Sequence, residues 1–137
     1  MHGSFVGVPG SAGAGSITYR LRVHNRSATV CFVSGLPRVQ LLGAQGRALP
    51  TKVRPARPGS ATAAMIQLEP GETATADARF SPDVPGVGEP VAGRQCEPRA
   101  SRLRVWPGGA GSTTVAIRPA TPVCEHGTLS FSLWRHG

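Results

Sequence analysis

Ile17-Thr18-Tyr19-Arg20-Leu21-Arg22-Val23-His24-Asn25 alternates without a break, with Ile17, Tyr19, Leu21 and Val23 on one side and Thr18, Arg20, Arg22 and His24 on the other. A period of two is the pattern of a strand with one buried face. Asn25-Arg26-Ser27 ends it in a turn. Working outward toward the start, Phe5-Val6-Gly7-Val8 reads as the end of a first strand whose beginning is missing. In the other direction lie Val30-Cys31-Phe32-Val33 and Val39-Gln40-Leu41-Leu42, separated by Ser34-Gly35-Leu36-Pro37. Gly43 to Arg47 turns the chain into a short edge strand from Ala48 to Val53, bounded by Pro50 and Pro55.

Farther along, Ala63-Ala64-Met65-Ile66-Gln67-Leu68 and Thr73 to Phe80 flank Glu69-Pro70-Gly71-Glu72, which predicts a hairpin, since Pro and Gly stand where a tight reversal wants them. Residues 81–100 form a long loop. Ser101 to Trp106 and Thr113 to Ile117 flank Pro107-Gly108-Gly109-Ala110-Gly111, a second hairpin, and Leu129 to Trp134 alternates as a last strand. About seven to nine short strands with turn signals between them argue for an all-β fold, an immunoglobulin-like antiparallel β-sandwich, in one domain over residues 1–137.

Composition agrees. Gly (18) and Pro (13) are too frequent for helices of useful length, and aromatic residues are only 5%, so Val, Leu, Ile and Ala must carry the core. The formal charge of +8 comes almost wholly from arginine, with Lys52 the single lysine. A high-GC coding bias accounts for part of that balance. The functional alternative is attraction to polyanions, although no basic run or aromatic platform stands out in the sequence and nucleic acid is disfavoured. No stretch approaches the roughly 20 apolar residues of a membrane span. Met1-His2-Gly3-Ser4 lacks the charged and apolar regions of a signal peptide, so either the protein is intracellular or an export segment has been removed, and the incomplete first strand favours removal.

The cysteines carry a topological expectation. If successive strands run up and down, Cys31 lies at one end of the sandwich, while Cys96, in the 81–100 loop, and Cys124, in the 118–128 connection, share the other. A Cys96–Cys124 bridge would close a loop of about 29 residues and contribute roughly 3–4 kcal/mol. Cys31 is then a buried free thiol, or is bridged to a cysteine upstream of residue 1 or on a partner. The cysteine and histidine spacings do not match a zinc site.

Catalysis finds no support. There is no G-x-S-x-G elbow. Cys31 with His24 or His126 lacks a thiol-enzyme signature. Glu69, Glu72, Asp83, Glu89 and Glu97 decorate turns and the long loop without the enforced spacing of a carboxylate pair. The glycine-rich segments precede no helix. For binding, strand parity points Trp106 and Trp134 outward, near Arg102 and Arg104. With Leu36 and Arg38 in a loop at the Cys31 end, they form the expected recognition surface.

Taken in order, Leu21-Arg22-Val23-His24-Asn25-Arg26-Ser27, Val30 to Arg47, Leu68-Glu69-Pro70-Gly71-Glu72-Thr73-Ala74, Cys96-Glu97-Pro98, Leu103 to Gly109 and Pro122-Val123-Cys124 resemble the actinobacterial domain of unknown function 4232, over about residues 5–134. The resemblance implies a β-sandwich of exported proteins and lipoproteins, with no established activity or catalytic residues. Members often carry a further cysteine ahead of the first strand, absent here, and a Gly-Tyr-Pro-Gly segment where this chain reads Gly35-Leu36-Pro37-Arg38. The combined expectation is a non-catalytic, cofactor-free binding or structural module, extracellular or in the cell envelope. Its partner would be a protein or a cell-wall component, and any lipid tether would lie outside this chain. Two alternatives are a subunit of a larger secreted or viral assembly, joined through sheet-edge or loop contacts, and polyanion binding.

Overall fold

The computed structural model describes residues 1–57, 65–90, 95–108 and 111–137. Its strands are β1 (His2–Gly7), β2 (Ile17–His24), β3 (Cys31–Ser34), β4 (Arg38–Leu42), β5 (Lys52–Pro55), β6 (Met65–Leu68), β7 (Thr73–Phe80), β8 (Ala100–Trp106), β9 (Thr113–Thr121), β10 (Thr128–Phe131) and β11 (Arg135–His136). The fold is all-β. Eight strands form one sheet in the order β4-β8-β9-β1-β2-β7-β10-β5, β11 adds beside β7, and β3 with β6 makes a separate two-stranded sheet.

The long sheet is nearly closed. Its terminal strands, β4 and β5, come together through the residues just before β5. Leu49 N–H donates to Leu41 O (2.9 Å), Gln40 Nε2 to Leu49 O (2.6 Å), and Leu41 N–H to Thr51 Oγ1 (3.0 Å). The segment expected as a strand from Ala48 is therefore mostly a strap along β4, and the regular strand starts at Lys52.

Burial follows the alternation read in the sequence. Tyr19, Leu21 and Val23 of β2 and Ala74, Ala76, Ala78 and Phe80 of β7 face the core. The small β7 side chains leave room for rings: Phe5 meets Tyr19 at 5.2 Å and Phe131 at 6.5 Å, and Tyr19 meets Phe80 at 5.1 Å. Leu41, Leu103, Val105 and Leu129 complete the same core.

One pairing expectation fails. The segment around Pro70 is not a hairpin, because β6 pairs with β3 while β7 pairs with β2 and β10. Ala63 and Ala64 of the expected first arm lie outside the described residues, as do Gly109 and Ala110 of the second turn. The Glu69–Glu72 turn instead carries the chain from one sheet to the other, held by buried Asn25, whose Nδ2 donates to Leu68 O and Thr29 O (2.9 Å each). Its backbone also brackets the turn, accepting from Gly71 N–H and donating to Glu72 O. β1 is hydrogen-bonded antiparallel to β2 and parallel to β9. The second hairpin, β8 with β9, forms as expected.

Asn25→Ala would leave buried carbonyls without donors, so a loss of about 2–3 kcal/mol in urea unfolding is expected. A change under about 0.5 kcal/mol, the range of an ordinary surface substitution, would mean the turn does not depend on this side chain.

Candidate functional site

Because inward parity is fixed by the core, outward parity is fixed as well, and it selects arginine. Strand register builds cross-strand rows on the outer face. One runs Ser4, Arg22, Thr75, Arg135; the next runs Arg118, Val6, Arg20, Asp77; a third runs Thr18, Arg79, Ser130, Arg54. Lys52 lies opposite Thr128 at the side of the third row. On β4 and β8 the outer face continues with Arg38 opposite Trp106 and Gln40 opposite Arg104.

Asp77 is the sole carboxylate within the eleven strands; the other acids lie in turns and loops. Arg20 Nε donates to Asp77 Oδ1 (2.8 Å) and Arg135 Nη2 to Asp77 Oδ2 (3.0 Å). Burial opposes ionisation of Asp77, but the two guanidinium groups outweigh it and hold the carboxyl below its ordinary range. Among the described residues, Arg22, Arg54, Arg102, Arg104 and Arg118 have no hydrogen-bonding or ion-pairing side chain to neutralise them. The result is a belt of cations and hydroxyls around the wrapped sheet.

The expected recognition surface is partly assembled. Arg38, Arg102, Arg104 and Trp106 share the β4–β8 outer face, with the Arg38 guanidinium 4.9 Å from the centre of the Trp106 ring. Trp134 does not join them. Regular pairing of β10 stops at Phe131, parity lapses over Ser132–Trp134, and Trp134 turns into the core at 5% exposure. Leu36 packs against the core as a partly buried residue.

Cys96 and Cys124 are bridged, with Cα atoms 5.4 Å apart. Cys124 N–H donates to Ser81 O, just past the end of β7, whereas Cys31 pairs with Leu68 next to the Asn25-held turn at the start of β7. The bridge and the free Cys31 thus lie at opposite ends of an eight-residue strand. Burial pushes the half-buried Cys31 thiol up.

Beside the bridge lies a cluster that the sequence does not announce. Glu125, His126 and Gly127 take left-handed backbone (φ 56°, 56° and 76°), and a Cβ on Gly127 would collide with the Pro50 carbonyl. This turn aims the N–H groups of Glu125 (2.6 Å) and His126 (2.7 Å) at the buried Glu89 carboxylate, which also accepts from Gly86 N–H (2.7 Å). Glu97 adds a side-chain hydrogen bond to Glu89, and His126 Nδ1 stands 3.5 Å from Glu97. Burial alone would raise both acids, but the Glu97 bond and the three N–H groups bring Glu89 down to about 2. Burial, the bond to Glu89 and its negative charge lift Glu97 to about 7. The pair thus favours an ionised Glu89 beside a Glu97 that holds its proton more tightly than usual. Ligand atoms of Glu89, Glu97 and His126 lie within 4.8 Å of one another, as a metal would need. Both Glu89 oxygens already accept backbone N–H donors, which ties the loop against the turn.

The fold and its surface define a class: an all-β domain with a cationic outer face and a disulfide-stapled loop. The chain belongs to the family described as Domain of unknown function (DUF4232), whose family model matches residues 5–135. No curated protein and no solved structure matches the chain.

Glu97 carries a proton in the folded protein at a pH where an ordinary glutamate is ionised. Its raised value therefore favours folding most below about 4.5, and that contribution fades as pH rises through about 7. The lowered value of Glu89 acts in the opposite sense, its contribution being lost as pH falls through about 2. Thermal melts between about pH 5 and pH 8 should show decreasing stability, and Glu97→Gln, which keeps a donor toward Glu89, should flatten the trend. An unchanged slope in the variant would rule out Glu97 as the titrating group.

Proposed function

We propose that this domain is a non-catalytic binding module that works outside the cytoplasm, and that the partner of its outer face is a polyanionic envelope polymer. The observation that carries this is the exclusion of carboxylates from the strands other than Asp77, while arginines with no carboxylate beside them occupy successive cross-strand rows. Such a surface attracts anionic chains through its summed field and through release of their counterions. The Cys96–Cys124 bridge agrees with an oxidising compartment. We read the wrapped sheet as a variant of the immunoglobulin-like sandwich, with β2 and β7 contributing one inner face and β4 and β8 another. A sheet-edge assembly role has less support, because β1 is paired on both sides.

Affinity for linear polyphosphate should fall steeply with salt. Replacing both Arg22 and Arg118 by Gln should reduce the log–log slope by about 1–2, roughly one for each phosphate that is no longer neutralised. A slope unaffected by the double variant, or binding indifferent to salt, would overturn the belt as the binding surface. Binding of single-stranded DNA with equal affinity and the same variant sensitivity would replace the envelope polymer with nucleic acid as the class of partner.

A further inference from the structure

Among the described residues, cations and hydroxyls converge on the outer face in a recess between β5, β10 and β7. Arg54 of β5 lies opposite Ser130 of β10, and Ser130 lies opposite Arg79 of β7. Neighbouring strands are about 4.8 Å apart, so the two arginine backbones stand roughly 10 Å from each other with a hydroxyl between them. At that separation two extended guanidinium groups can reach a common point.

The recess has walls as well as a floor. Ala14 and Gly15 take left-handed backbone (φ 51° and 79°) in a tight turn that pairs Gly13 with Ser16. The turn sets Ser16 Oγ 3.0 Å from Arg79 Nε, which braces the guanidinium through one nitrogen. Val84 packs under Gly15, held by a hydrogen bond from its N–H to Ser81 Oγ (2.9 Å). The open recess has a volume of about 290 Å³ and is lined in part by Arg54, Arg79, Ser16, Thr128 and Ser130.

Neither arginine has an ion-pair partner among the described residues. Glu125 lines the same recess, yet no oxygen of it lies within 4.0 Å of either guanidinium. The contrast with Asp77 is informative: there two arginines share a carboxylate, whereas here two arginines share a cavity. Like charges held near each other on a sheet cost stability unless a counter-charge sits between them.

We propose that the Arg54–Ser130–Arg79 recess is a site for a tetrahedral oxyanion, a phosphate group held by two guanidinium forks and a hydroxyl. Guanidinium suits such a ligand because its planar fork of donors matches two oxygens at once. The inference rests on the anionic partner proposed above, and narrows it to one phosphate-binding position on the belt.

The test uses the whole chain and follows the Nε–H signals of Arg54 and Arg79 by NMR during titration with inorganic phosphate and, separately, with linear polyphosphate. Saturable shifts at both arginines with inorganic phosphate support the site and show that a free ion suffices. Shifts there with polyphosphate alone support it with the polymer as source. Arg54→Gln should weaken binding at the site about tenfold, the worth of one charge-assisted hydrogen bond. Arg26→Gln, in the exposed turn after β2, should bind as the parent does, and equal melting temperatures would exclude a folding defect in either. Polyphosphate that shifts Arg22 and Arg118 while leaving Arg54 and Arg79 unmoved overturns the recess and leaves the belt standing. Loss of all shifts overturns both.

Discussion

The rest of the structure depends on the inward parity of β2 and β7. With few aromatic side chains available, the core concentrates four of them in one run of ring contacts, Phe131 to Phe5 to Tyr19 to Phe80. That run fits because the neighbouring strand β7 places only Ala74, Ala76 and Ala78 inward before Phe80. A slip of one residue along either strand would put Arg20, Arg22 or Arg79 where those alanines and rings now lie, at the cost of burying an unpaired charge. The core and the cationic face are therefore two sides of one constraint. Whatever fixes Tyr19 and Leu21 inside also fixes Arg20 and Arg22 outside. Tyr19 reinforces this by donating its hydroxyl to Pro119 O at 2.7 Å, tying β2 to the sheet beyond β1.

Strand existence was legible wherever the alternation was long, as in β2, β7 and the β8–β9 pair, because a half-buried strand writes its period directly into the sequence. Strand partnership was less so. Pro70 and Gly71 signal a reversal of direction, but a turn between two strands of one sheet and an arch between two sheets use the same residues. What decides between them is Asn25, more than 40 residues earlier by the separation of its bond to Leu68. Trp134 was misplaced for a related reason. Parity counted from Leu129 assumes an unbroken strand, and β10 stops at Phe131. The disulfide pairing was recovered although the path was not the simple up-and-down one. It needed only the correct end for each loop, and Ser81 next to Cys124 marks that end.

The side-chain clusters were the least legible. The left-handed turn at Glu125 and His126 is carried by residues that seldom adopt that conformation, so only Gly127 hints at it, and the Glu89–Glu97 pair spans a loop with no periodicity. The belt had a different obstacle. Its arginines are scattered along the chain, and no local window contains a basic run, yet strand register gathers them into rows. Half of the signal could nevertheless be read beforehand, since Asp77 is the sole carboxylate in segments that alternate as strands.

That asymmetry bears on whether the positive charge is an accident of coding bias. A GC-rich genome favours arginine over lysine, but the same bias does not exclude aspartate and glutamate, whose codons can also end in G or C. Low strand propensity accounts for some of their absence, though its full scale spans only about 1 kcal/mol and it also disfavours lysine. Neither influence explains the position of Asp77, which lies between Arg20 and Arg135 and neutralises both in part. A carboxylate is evidently compatible with this sheet when cations flank it. Arg54 and Arg79 flank Ser130 in the same cross-strand manner, with a hydroxyl where a carboxylate would have neutralised them. Leaving those charges unmatched costs stability through self-repulsion. A ligand anion that occupies the recess would recover it, which is the physical ground for assigning the missing negative charge to a partner.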